Sequence, residues 1–228
     1  MNDAQRTASL LSIIVTLLMP VVLIVNCLYV FMTPAFVRFE YSQPSFPPAE
    51  RFTSEAREYN SVKTVEYEWG RISLQDLQNL GVYNDREIKH LVDVQNVARG
   101  ALIFHAISLI LILVALVLLA RSTATRPWAA RALMQGGILT FVVMAAIGIF
   151  SLVAFDQFFV AFHHIFFEGN SWLFEHTDSL IQLYPEPFWE TASYGIALFV
   201  IASALIVSAA GWIWQRSMSR RLAPAPAA

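Results

Sequence analysis

Two histidines stand where an imidazole could move a proton. His163 lies in Phe162-His163-His164-Ile165-Phe166-Phe167, directly after an apolar stretch, and His90 lies in Glu87-Ile88-Lys89-His90-Leu91-Val92-Asp93. On a helix Glu87 and Asp93 are each three positions from His90, within reach of its ring. A carboxylate there would orient the imidazole and raise its basicity. His163 belongs to a segment, residues 155–189, that carries Asp156, Glu168, Glu175, Asp178 and Glu186, with Glu190 just beyond, and no Lys or Arg. Two imidazoles without a nucleophilic Ser or Cys suit proton transfer, one taking and one giving. A zinc ion held by His90, His163 and a carboxylate is the competing chemistry, but no HExxH or similar helical ligand pair occurs. The plain alternatives are a His163 that ties a loop down on a carboxylate, and a His90 on a solvated helix face, which spacing alone favours. His164 points to a different side of any helix from His163. His176 reads as a surface residue, and His105, inside an apolar stretch, as a packing residue.

The elements that must position these residues are membrane helices. The chain has 228 residues, 57% of them hydrophobic and 14% charged, with a formal net charge of -2; it is too apolar for a typical soluble domain and gives no electrostatic footprint for nucleic acid. One cysteine, Cys27, excludes an intramolecular disulfide. Four runs, residues 9–31, 101–120, 132–154 and 192–214, are long enough to cross a bilayer. The first is too long for a signal-peptide core, and the residues before Cys27 do not form a lipidation signal. Arg6, Arg121, Arg126, Arg131, Arg216, Arg220 and Arg221 flank the spans on one side against a single acid, Asp3, which predicts that both termini and the second connection face the cytoplasm. The remaining connections, residues 33–100 and 155–191, should lie outside.

The first outer connection opens with Pro34, Pro44, Pro47 and Pro48, read as extended, and residues 60–69 read as irregular or a short strand. A capped helix start is expected at Ser73 with a stop at Gly81, and a second start at Asn84, with Glu87 three residues on, whose helix would run into the second span. The second outer connection, rich in Trp, Tyr and Phe, reads as an interfacial aromatic segment. The fold class is thus an all-α integral membrane protein. It has four transmembrane helices, an extracytoplasmic helical subdomain between the first two, and an interfacial aromatic segment between the last two.

Several spaced motifs then agree with one family. Phe162-His163-x-Ile165-Phe166-Phe167, Trp172, Asp178-x-Leu180-Ile181 and Tyr184-Pro185-Glu186-x-Phe188, with His90-Leu91-x-Asp93-Val94, resemble the bacterial lipoprotein intramolecular transacylases. The resemblance implies movement of the sn-2 acyl chain of a diacylglyceryl-cysteine onto that cysteine's α-amino group, without a cofactor, and a functional pair at His90 and His163. It implies a lipoprotein substrate in the bacterial cytoplasmic membrane and a site on its outer side. For such chemistry Asp93 is expected to orient His90, Asn170 or Trp172 Nε1 to donate to the oxyanion, and a Phe-rich wall that includes Phe162 and Phe166 to keep water out. Asp178 enters as a motif residue. The alternatives are a membrane-bound scaffold or sensor with an extracytoplasmic binding domain, a membrane acyl hydrolase, and a carrier; the last is disfavoured because the spans contain no Asp, Glu, Lys or Arg.

Overall fold

Four apolar runs become four long helices, because a chain in lipid must satisfy every backbone N–H and C=O internally. The structure is a computed structural model and describes residues 3–221. In chain order the helices are α1 Asp3–Val25, α2 Leu28–Phe31, α3 Pro34–Tyr41, α4 Ser54–Glu68, α5 Leu74–Gln78, α6 Asp85–Ala120, α7 Arg126–Val153, α8 Phe155–Phe166, α9 Ser179–Leu183 and α10 Glu186–Arg221. There is no strand among the described residues. The stretch Asp3–Phe31 and helices α6, α7 and α10 are each long and apolar enough to cross a membrane. At most 33% of the residues in their most apolar windows are buried within the protein. The rest of that apolar surface would be costly in water and is at home in lipid.

The chain divides into two compact units. The first takes residues up to Asn26, Phe104–Ile147 and the chain from Ala197 onward. Small residues let its helices touch: a Cβ on Gly136 of α7 would lie 2.8 Å from Met19 Cβ of α1, and one on Gly137 would lie 2.5 Å from the Ala204 carbonyl of α10. Close backbone approach is how helices associate where no hydrophobic effect drives them together. His105 is buried here and pairs with Asn26 Oδ1 at 3.0 Å, so it joins α6 to the end of α1.

The second unit, Cys27–Ile103 and Gly148–Ile196, holds both long connections. Its core gathers Val37, Val65, Tyr67, Leu77, Leu91, Leu180, Leu183, Tyr184 and Phe188, from α3, α4, α5, α6, α9 and α10. Two sequence expectations are corrected here. Pro34 does not begin an extended run; it opens α3, behind Thr33, whose Oγ1 accepts from Phe36 N at 3.2 Å. A proline at a helix start surrenders only an N–H that has no helical partner. Residues 60–68 are neither irregular nor a strand but the later turns of α4, capped by Thr53. The buried face of α4 includes Arg57, Asn60, Ser61 and Thr64 beside Val65, so its helical period is written in polar residues. Several of those side chains are hydrogen-bonded: Ser61 Oγ lies 2.5 Å from Tyr41 Oη, Arg57 Nη1 donates to Pro47 O at 2.6 Å, and Thr64 Oγ1 donates to Asn60 O at 2.8 Å.

The other local signals appear as helix ends. Ser73 and Asp76 form the reciprocal cap of α5, and Gly81 turns the chain with φ 68, a conformation that disfavours a side chain. Asn84 Oδ1 accepts from Glu87 N at 3.0 Å while Glu87 Oε2 accepts from Asn84 N at 2.8 Å, which starts α6. From there α6 runs unbroken for 36 residues. Its charged first turns, through Arg99, precede a run from Ala101 to Ala120 that holds no Asp, Glu, Lys or Arg.

Candidate functional site

His90 lies in the second turn of α6 and is 9% exposed. His163 lies near the end of α8, which begins after the chain bends at Ala154 (φ -146, ψ 62) and contributes no buried residue. One face of α8 is apolar and outward, with Ile165 75% exposed and Phe162 and Phe166 also exposed. The other face carries Phe159 and His163 one turn apart. The loop that follows turns back at Gly169, whose φ of 61 belongs to the left-handed region, and lays Trp172 over the His163 ring.

The two imidazoles face each other with ring centroids 6.3 Å apart and planes inclined by 23°. Phe167 touches both, at 4.9 Å from the His90 centroid and 5.6 Å from that of His163. Phe174 packs edge-on to His90 at 5.4 Å, Phe159 lies 4.1 Å from His163, and Trp172 stacks on His163 at 4.5 Å and 29°. The pair therefore sits in an aromatic enclosure that thins out the water around it. Burial, and then the neighbouring His163, push the His90 imidazole down from 6.5 to about 4. Burial also lowers His163, against the hydrogen bond from its Nδ1 to the Phe159 carbonyl at 2.7 Å, which favours the charged form; His164 adds a smaller downward push. Both rings are neutral near pH 7 as a result, which is the form that can accept a proton.

A carbonyl only accepts, so the Phe159 bond places the hydrogen of His163 on Nδ1 and leaves the lone pair of the neutral ring on Nε2. His90 Nδ1 is buried without a hydrogen-bond partner. The expected orientation of His90 by a carboxylate is not what the structure has: Asp93, half-buried one turn on, makes no hydrogen bond to it among the described residues. Glu87 turns away too, with Oε1 accepting from Leu180 N at 2.8 Å. Trp172 Nε1 is likewise not free for an oxyanion, since it donates to Gly169 O at 3.1 Å; the indole serves as the plate against His163. Asn170 is exposed in the same loop.

The remaining sequence candidates divide in the same way. Phe162 and Phe166 stack on each other at 4.9 Å along the outer side of α8, with Phe162 edge-on to His163 at 5.6 Å. Asp178 does not touch the histidines and accepts from Asn84 Nδ2 and Arg86 Nη2, both at 3.0 Å. His164 is exposed and meets only the edge of Trp172, at 5.4 Å. His176 is exposed. Phe159, Phe167 and Phe174 line the pair, although no such role is legible for them in the aromatic run. For Phe159 a signal existed, because it stands four residues before His163 on an amphipathic helix. Phe167 stands in the Phe162–Phe167 motif but without a role attached, and for Phe174 there was no signal, since its place depends on how the loop folds back.

A family model described as lipoprotein intramolecular transacylase Lit matches residues 10–189. An uncharacterized protein of Aquifex aeolicus (strain VF5) is 26% identical over 207 residues, which covers 87% of this chain and 91% of that protein. The in meso structure of the membrane integral lipoprotein intramolecular transacylase Lit from Bacillus cereus is similar at TM-score 0.79 and 18% identity, over 95% of this chain and 98% of that one. A structure of the same protein with one histidine replaced by alanine gives TM-score 0.76 at 17% identity, over 96% and 98% of the two chains. At these identities the structural likeness is one of fold, an all-helical integral membrane protein.

Proposed function

The chain belongs to the family of lipoprotein intramolecular transacylases, and from that premise we propose that His90 and His163 carry out the proton transfers of its acyl shift. The reaction in this reading moves the sn-2 acyl group of a diacylglyceryl-modified N-terminal cysteine to the α-amino nitrogen of the same cysteine. A carbon–nitrogen bond forms at the acyl carbon, the bond from that carbon to the glyceryl oxygen breaks, and the proton leaving nitrogen replaces the acyl group on oxygen. Atoms and charge balance within one molecule.

The observation that carries this reading is the pair of facing, neutral imidazoles 6.3 Å apart in an aromatic enclosure. Donor and acceptor are tethered in the substrate, so orientation alone supplies up to roughly 7–11 kcal/mol for well-aligned groups. What remains is protonic. The α-amino group, with an ordinary pKa near 7.7–8.0, is on the order of a tenth neutral at pH 7 and needs a base as it attacks. His163 fits that part, because its Nε2 lone pair is set by the Phe159 carbonyl. The proton that His163 takes from nitrogen is the one the departing glyceryl oxygen needs; His90, uncharged before the step, receives it and passes it to that oxygen, so both rings end neutral. The wall of Phe159, Phe167, Trp172 and Phe174 favours the amine over water as nucleophile. The flanking Arg residues support cytoplasmic termini, and hence a site open to the outer leaflet.

Incubating the purified chain with a diacylglyceryl lipopeptide and reading the fragment masses tests this. The wild type should move acyl mass from glycerol to the N-terminus, and His90→Ala and His163→Ala should each lose about 10²–10⁴-fold in rate. Full activity in both variants, or release of free fatty acid in place of transfer, would overturn it.

A further inference from the structure

Just before His90, the first turn of α6 is bound to the segment leading into α9 by bonds in which neither histidine takes part. Glu87 is 0% exposed. One of its carboxylate oxygens accepts from Asn84 N and the other from Leu180 N, both at 2.8 Å, so it ties the start of α6 to a residue 93 positions beyond it. Around it Asp178 takes Asn84 Nδ2 and Arg86 Nη2 at 3.0 Å and Glu175 N at 2.8 Å, and Ser179 Oγ donates to Val82 O at 2.5 Å. Arg86 also lies 5.1 Å over the Phe174 ring, whose edge meets His90. A helix cap needs one carboxylate oxygen. The second oxygen of Glu87 is committed to another part of the chain, and removing it strands a buried N–H.

We propose that Glu87 is a positioning residue for the histidine pair: its buried carboxylate fixes the chain that carries Phe167, Trp172 and Phe174 against the turn of α6 that carries His90. The assignment rests on the reading of His90 and His163 as the proton-transfer pair. Glu87→Gln preserves the shape of the side chain but leaves a single acceptor oxygen, so an amide NH₂ now faces one of the two backbone donors and the tie opens there. A displacement on the order of 1 Å at a reacting geometry costs about 10²-fold.

The variant should fold, bind substrate with nearly unchanged KM, and lose about 10- to 100-fold in kcat. It should also move the acid limb of the rate profile. His90 is faced by His163 from α8, with Arg86 beyond Phe174 and Glu87 and Asp93 one turn away on its own helix. Opening the enclosure admits water and separates the rings, so the limb climbs toward the ordinary histidine value of 6.5. A variant that merely folded less well would scale the whole profile and leave the limb in place.

The experiment compares full-length wild type and Glu87→Gln in lipid nanodiscs, with a diacylglyceryl lipopeptide, measuring kcat, KM and the pH profile by mass spectrometry. A lowered kcat with a raised acid limb is the expected result. An unchanged kcat, or a lowered kcat with an unmoved limb, overturns the assignment. If Glu87→Gln does not fold, Asp178→Asn tests the same tie from its rim: a smaller loss with the limb moving in the same direction supports the proposal, and an unmoved limb overturns it. A wild-type chain that transfers no acyl group removes the underlying reading and this assignment with it.

Discussion

His163 and His90 have the same side chain but different surroundings. The Phe159 carbonyl fixes which nitrogen of His163 carries the hydrogen, whereas burial and the neighbouring ring keep His90 uncharged. Below the ordinary value of 6.5 a free histidine gains a proton, but both of these are held lower, so the site keeps its neutral rings as pH falls through that range. Once rates are corrected for protonation of the substrate amine, the wild-type acid limb should lie below 6.5; a limb at or above it would contradict the burial described here. At this scale the sequence displayed the candidates but not their partners. His90 and His163 are visible as polar residues in informative surroundings, while the expected help from Asp93 fails because helical spacing places a carboxylate within reach without aiming it.

Elements were legible wherever one physical demand dominates. Lipid requires an uninterrupted apolar run, and the four spans announce themselves; Asn84 and Glu87 announce the start of α6 because a helix must cap its first N–H groups. Helix α4 is hidden in the sequence for the opposite reason, since its buried face is largely polar, and hydrophobic periodicity does not register such a helix. Pro34 is ambiguous in sequence because proline favours both extended chain and a first helical turn. Between membrane helices the decisive feature is absence of side chain. Gly136→Val would press a branched side chain onto Met19, where even a Cβ lies at 2.8 Å. The expected outcome is a destabilisation of about 1–3 kcal/mol, seen as a lower melting temperature in detergent, with the second unit's substrate chemistry retained at low temperature.

For the molecule as a whole, charge is sorted along the chain: the connections 33–100 and 155–191 hold sixteen of its seventeen acids, and the segments around the other helix ends hold seven Arg. Such sorting orients a membrane protein as it inserts. A thiol-reactive, membrane-impermeant dye should label Gln78→Cys in intact cells and Ser122→Cys only after permeabilisation; the buried Cys27 contributes no background. The reverse pattern would invert the topology. Finally, the two imidazoles are mounted on unequal supports. His90 rides on a helix anchored in the core through Leu91, whereas His163 rides on one with no buried residue, where Trp172, Phe159 and Phe167 pack on its ring. Of the two rings, His163 is therefore the one whose setting depends on the aromatic loop packed over it, and Trp172→Ala should unsettle His163 before it reaches His90.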